Sequence, residues 1–104
     1  MNDIELEKLK EKGLNEHIPI IMDDTLEKIK EILLEEKPKR ILEIGTAIGY
    51  SACQFAKYTS CECIIDTIEL DSQRAEDANV NIEKIGFKDR INVIQGNAVD
   101  ILPT

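Results

Sequence analysis

Arg40-Ile41-Leu42-Glu43-Ile44-Gly45-Thr46-Ala47-Ile48-Gly49-Tyr50-Ser51 decides the fold of this chain. An apolar run carrying an acid ends in a glycine, a second glycine follows four residues later, and a small-residue helix start comes next. Short apolar runs of this kind form buried parallel strands, and Ile41, Leu42 and Ile44 supply one. Gly45 lets the chain turn sharply off the strand end. Gly49 lets backbone approach a ligand or another element closely, because neither position carries a Cβ. The helix that follows presents unpaired N–H groups and a positive dipole end to any anion in the turn. Ligands of open α/β sheets sit at the carboxyl ends of strands, so this turn is the first candidate site.

Spacing narrows the ligand. The dinucleotide fingerprint needs glycines at relative positions one, three and six, which here would be Gly45, Ala47 and Tyr50. A phosphate-cradling P-loop needs Gly-Lys-Ser/Thr after a four-residue gap; Tyr50 holds that glycine position and no Lys follows. What remains is Glu-x-Gly-x-x-x-Gly, or else a strand-to-helix turn whose glycines serve geometry alone.

Two further anchors weigh against the plain turn. Cys63-Ile64-Ile65-Asp66-Thr67-Ile68-Glu69-Leu70-Asp71 reads as a second strand, with Glu69 placed 24 residues after Gly45. An acid about 20 residues past such a turn can accept both ribose hydroxyls of a nucleoside. Asp71 reads as the N-cap of the next helix. Arg90-Ile91-Asn92-Val93-Ile94-Gln95 is a third strand, followed by Gly96-Asn97-Ala98. Three strands, each closed by a polar or glycine turn, have the spacing of repeated βα units.

These residues resemble the N-terminal half of a class I, metal-dependent O-methyltransferase that uses S-adenosylmethionine. The type is that of catechol and caffeoyl-CoA enzymes, and the nearest branch is that of bacterial tRNA 5-hydroxyuridine methyltransferases. The matching segments are Ile18 to Asp23, Pro38 to Ser51, Thr67 to Asp71, Arg74 to Gly86 and Asp89 to Pro103. The resemblance implies an α/β, partly Rossmann-like fold: three parallel strands in the order 3-2-1, flanked by helices and stopping before a fourth strand. It divides the chain into an N-terminal helical segment, 1–37, and a cofactor-binding βαβαβ half, 38–104, within one structural unit.

The resemblance also implies roles. Gly45, Thr46, Ala47 and Gly49 would shape the turn around the methionine part of the cofactor. Ser51 would hydrogen-bond its carboxylate, and Glu43 would lie near its amino group. Glu69 would hold the ribose, Leu70 would pack on adenine, and Met22 would cover the reactive end. Asn97, with Ala98 beside it, stands where the family has an Asp that accepts from the adenine amino group; an amide oxygen can also accept. Family members carry the metal-site Asp and the catalytic Lys beyond this stretch. No catalytic residue and no metal ligand is therefore placed on this chain, a divalent metal such as Mg is expected only for the complete enzyme, and these residues alone are expected to be inactive.

Composition suits one soluble, cytoplasmic unit: 104 residues, 42% hydrophobic, and net charge −8. Apolar runs are too short for a membrane span, and the charged N-terminus is unlike a signal peptide. Cys53, Cys61 and Cys63 lack metal or redox spacing and read as buried small hydrophobes, with Cys61 and Cys63 on one strand face. His17 reads as a solvent-facing loop residue. The acidic balance makes a poor nucleic-acid surface. Family likeness nevertheless favours tRNA slightly as the acceptor over a small phenol or catechol.

Local signals complete the reading. Residues 3 to about 12 form a charged helix with Ile4, Leu6 and Leu9, closed by Gly13. Asp24 caps a second helix in a capping box with Glu27, and Leu26, Ile29, Ile32 and Leu33 give it an apolar stripe. Pro38 separates it from the first strand. The helix after Gly49 buries Ala52, Phe55 and Ala56. That from Ser72 to Ile85 buries Ala75, Ala78, Ile82 and Ile85, with Gly86 as its stop. Without a fourth strand the first strand is an open apolar edge, which predicts self-association. Two further readings are a binding module without turnover and a non-catalytic assembly piece.

Overall fold

A computed structural model describes residues 2–101. The elements are α1 (Asn2–Asn15), α2 (Asp23–Glu36), β1 (Arg40–Ile44), α3 (Tyr50–Lys57), β2 (Ile64–Glu69), α4 (Ser72–Ile85), β3 (Ile91–Gln95) and a short α5 (Ala98–Ile101). The strands are parallel in the order β1-β2-β3, which is the expected 3-2-1 arrangement. The end of the segment matched through Pro103 lies outside the described residues.

Register explains which side chains meet. Ile41 aligns with Ile65 and Ile91, and Glu43 aligns with Thr67 and Val93. Side chains alternate along a strand, so these six share one face. Ile65 and Thr67 are fully buried there, and Ile91 is nearly so. Leu33, Tyr50, Ala52, Cys53, Ala78, Ile82 and Ile85 from the helices complete this core, with Leu6 and Leu9 of α1. Full burial of a side chain such as Ile65 is worth about 1.5–3 kcal/mol. The opposite face is bare along β1, where Leu42 is 53% exposed and Ile44 63%, while Ile68 of β2 on that same face is buried. The apolar run around β1 is thus buried on one side only.

Two helix boundaries follow local chemistry as read. Asp71 Oδ1 accepts from the Gln73 and Arg74 amides at 2.9 and 3.1 Å, capping α4. Gly86 closes α4 at φ 103°, and its N–H reaches the Ile82 and Glu83 carbonyls. Arg90 fastens the far end of α3 to the sheet. It donates to the Ala56 and Cys63 carbonyls and to Thr59 Oγ1 at 2.9, 3.1 and 2.8 Å. A cation at a helix C-terminus is favourable, and the staple fixes the direction of α3 from behind.

Other boundaries differ from the sequence reading. Helix α1 runs through Gly13 to Asn15, because that glycine serves close packing: a Cβ there would meet Ile20 Cγ2 at 3.0 Å. Helix α2 begins at Asp23 with Met22 as N-cap and no side-chain cap; Asp24 Oδ1 instead accepts from the adjacent Thr25 amide. Ile32, placed in the apolar stripe, is 57% exposed, and Ile4 is 63% exposed. Cys61 is exposed in a turn before β2, whereas Cys53 and Cys63 are buried. Nothing therefore puts Cys61 and Cys63 on one strand face. His17 is exposed at φ 57°, as expected of a loop position.

Candidate functional site

The carboxyl ends of β1, β2 and β3 open into three adjoining hollows that all touch Gly45. The first, about 250 Å³, runs under Pro19, Ile20 and Ile21 to Glu43, Tyr50, Ser51 and Phe55. The second, about 580 Å³, is walled by Ala47, Glu69, Leu70, Asp71 and Arg74. The third, about 240 Å³, reaches Gly96, Asn97 and Ala98. Clefts for small ligands commonly span about 300–1,000 Å³. A separate hollow of about 140 Å³ lies between α1 and α4, away from the strand ends.

The turn itself is set by backbone sterics. Gly45 sits at φ 93°, a left-handed conformation that glycine adopts without strain. A Cβ there would meet nothing within 4 Å, so the cleft stays open in front of it. Gly49, at φ 90°, faces the protein instead. A Cβ would lie 3.2 Å from Ile82 Cγ1 and 3.4 Å from the Ala78 carbonyl. Its role is the close approach of α3 to α4, and it does not line the cleft. Ala47 also adopts a positive φ of 50°. Its N–H is thereby aimed at Glu69 Oε1, 2.8 Å away.

Two strand-end acids divide the cleft. Glu69 accepts from the Ala47 amide on one oxygen and from the Asp71 amide, at 3.0 Å, on the other. A carboxylate offers about four lone-pair sites, so each oxygen retains acceptor capacity toward a diol. Glu43 is enclosed by hydroxyls: Thr67 Oγ1 donates to Oε1 at 2.7 Å, and Ser51 Oγ donates to Oε2. Burial pushes its carboxyl above the ordinary value of 4.5; the two hydroxyls pull it back, and the nearby Glu69 charge pushes it further up. Burial, reinforced by the charge on Glu43, pushes the Cys53 thiol up to about 12, so this cysteine is no nucleophile.

The residues named from sequence are sorted by this geometry. Glu43, Gly45, Thr46, Ala47 and Ser51 line the first hollow, and Glu69 and Leu70 join the second to the third, where Asn97 and Ala98 stand. The Thr46 side chain points inward to Thr67 Oγ1 at 2.7 Å, leaving its backbone to the cleft. Ser51 spends its proton on Glu43, so it faces a ligand as an acceptor; a carboxylate is left to the free N–H groups at the start of α3. Asn97 Oδ1 accepts from the Val99 amide at 2.9 Å, which leaves less of that oxygen for an adenine amino group. Met22, expected over the reactive end, is 69% exposed and lines none of the three hollows, whereas Pro19, Ile20 and Ile21, just before it, line the first.

Sequence reasoning missed Tyr50, Phe55 and Arg74 on the walls, and Thr67 behind Glu43. Thr67 was detectable in principle, as a polar residue inside an apolar strand and two positions from Glu69. Arg74 carried the weaker signal of a cation three residues past the cap.

The family model for O-methyltransferases matches residues 3–104, and the chain belongs to that family. A catechol O-methyltransferase of Mycobacterium tuberculosis is 39% identical over 66 residues, covering 64% of this chain and 30% of that protein. A Staphylococcus aureus crystal structure, described as a caffeoyl-CoA O-methyltransferase, superposes with a TM-score of 0.86 at 37% identity, over 91% of this chain and 45% of that one. An O-methyltransferase from Bacillus cereus, crystallised with S-adenosylhomocysteine, gives 0.81 at 28% identity, over 92% and 44%. The chain therefore spans less than half the length of each of these relatives.

Proposed function

We propose that this chain is the S-adenosylmethionine-binding portion of an enzyme that transfers a methyl group to a hydroxyl oxygen. The carrying observation is the pair of strand-end acids on either side of Gly45, each fixed by donors from neighbouring elements yet open toward the cleft. S-adenosylmethionine supplies an electrophilic methyl on its sulfonium. The residues here bind and orient: Glu69 accepts from the ribose diol, Glu43 and the Ser51 oxygen accept from the ammonium, and the start of α3 receives the carboxylate. Leu70 and Ala98 offer apolar surface to adenine, with Asn97 at its edge. Among the described residues no group of three or more His, Cys, Asp or Glu could hold a metal ion, and the Mg of the complete enzyme is assigned no ligand. These 104 residues are proposed to bind the cofactor without turning it over.

For the acceptor, a small phenolic or catechol-like hydroxyl is the reading we favour, because a net charge of −8 opposes a polyanion. Methylation of tRNA at wobble 5-hydroxyuridine is the second reading, and it needs basic residues from elsewhere. No helix among the described residues is long and apolar enough to cross a membrane; a cytoplasmic site of action is part of the proposal. So is self-association: among the described residues β1 pairs only with β2, its other edge is a template for a second copy, and Leu42 and Ile44 are exposed on the outward face beside it.

Calorimetric titration with S-adenosylmethionine tests the cofactor reading. Wild type should bind, and both Gly45→Val and Glu69→Ala should lose binding while keeping their helical circular dichroism. A folded chain that takes up no cofactor would sink it.

A further inference from the structure

We infer that Thr67 is a positioning residue of this cleft: its hydroxyl aims the Glu43 carboxylate at the cofactor's ammonium group and anchors Thr46 beneath the glycine turn. The inference rests on the cofactor reading above. Thr67 lines none of the hollows and is 0% exposed, so it acts only through its neighbours.

Proton accounting assigns the direction of the chain. A threonine hydroxyl has one hydrogen. Thr67 commits it to Glu43 Oε1 at 2.7 Å, since an ionised carboxylate only accepts. The 2.7 Å contact between Thr46 Oγ1 and Thr67 Oγ1 must then be donated by Thr46. The sequence Thr46 to Thr67 to Glu43 thus joins the residue after Gly45, the central strand and the acid on β1 through one buried hydroxyl.

Glu43 depends on this arrangement. The titratable groups facing it are Tyr50 and Cys53 from α3 and Glu69 from β2, none of them a cation. Among the described residues no Lys or Arg forms an ion pair with it. A buried carboxylate without a cation is held by its hydrogen bonds, and here these are two hydroxyls. Such a group is set to receive a cation from a ligand. Without Thr67 the carboxyl keeps its proton to higher pH and gains a donor face, which an ammonium group does not match.

Thr67→Val tests this, because valine keeps the β-branched shape that the strand accommodates and removes only the hydroxyl. Thr67→Ser restores the hydroxyl alone. The Glu43 carboxyl carbon is followed by NMR titration in the cofactor-free chain, and affinities are measured for S-adenosylmethionine and for adenosine, which has the diol but no ammonium. In Thr67→Val the Glu43 titration should move to higher pH. At pH 7 affinity for S-adenosylmethionine should fall about tenfold, the scale of losing a hydrogen bond to a buried charge, and the loss should shrink as pH rises. Adenosine affinity should stay within about twofold, and Thr67→Ser should behave as wild type by every measure. An unmoved Glu43 titration in Thr67→Val, or a serine variant that behaves like valine, would overturn the inference alone. A wild-type chain that binds adenosine and S-adenosylmethionine equally weakly overturns its ammonium half. Absence of binding to either, with Glu43 still shifted by Thr67→Val, overturns the cofactor reading and leaves the hydroxyl's hold on Glu43 standing.

Discussion

Along β1 the two faces of the sheet carry similar apolar residues and meet opposite fates. Ile41, Ile65 and Ile91 lie on the face covered by α3 and α4, while Leu42 and Ile44, which alternate with Ile41 and Glu43 along β1, look outward. On the outward face the centre is polar: Asp66 accepts from Arg40 at 2.8 Å and from Asn92 at 2.9 Å. Strand composition alone does not distinguish these faces, since parallel strands usually read as continuous apolar runs. Burial on one face and a satisfied polar cluster on the other make the covered side the main source of stability, and the exposed part of the other side is where the proposed association would occur.

Several substitutions would break or sharpen this contrast. The largest expected effect is from Ile65→Ala on the covered face, which should cost about 2–5 kcal/mol by urea denaturation, because a closed core leaves a cavity. Ile44→Ala on the bare face should cost within about 0.5–1 kcal/mol; equal losses would show that the outward face is covered in solution.

Glu43 lies on the covered face, held by two hydroxyls, and it separates stability from binding. Its folded carboxyl titrates above the ordinary 4.5, so the folded state holds the proton longer than the unfolded state. Stability should then fall as pH rises from 4.5 through the folded value. Glu43→Gln should remove that fall, raise Tm at pH 7, and weaken S-adenosylmethionine binding about tenfold or more. Thermal melts between pH 4 and 8 check the first effect and calorimetry the second.

The bare face is probed by Leu42→Lys with Ile44→Lys. Stability should change by no more than about 0.5 kcal/mol, and sedimentation velocity should show self-association lost. In wild type, association should strengthen with salt, because each copy carries −8 and screening relieves their repulsion. The smallest perturbation is chemical labelling. Iodoacetamide should modify exposed Cys61 in the native chain and spare Cys53, whose thiol is buried and pushed up to about 12; mass spectrometry after brief exposure distinguishes them.

Much of the fold was legible because its signals are local. Asp71 and Gly86 bracket α4 through bonds to residues at most four positions away, and that helix buries the four residues expected of it. Lys37 at φ 48° followed by Pro38 ends α2 in the same way. Glu69 was legible from its distance along the chain. What stayed illegible was whatever depended on a distant neighbour. Gly49 could serve a ligand or another element, and only the passage of α4 across it decides for the element. Likewise, that Pro19, Ile20 and Ile21 line the first hollow while Met22 stands exposed beside it depends on the path of the loop before α2.

The sequence by itself determined three βα units, the cap and stop of α4, and an acid at the tips of the first two strands, because apolar runs and turn chemistry act within a few residues. Tertiary structure decided which side of each strand is covered and which polar groups meet. Glu43 and Thr67 are 24 residues apart and come into register only when β1 pairs with β2. A hydrogen bond between side chains on adjacent strands depends on that pairing to within one residue, since a single-step slip sends every side chain to the other face. The hydroxyl that holds Glu43 therefore belongs to the folded sheet, although both residues are plain in the sequence.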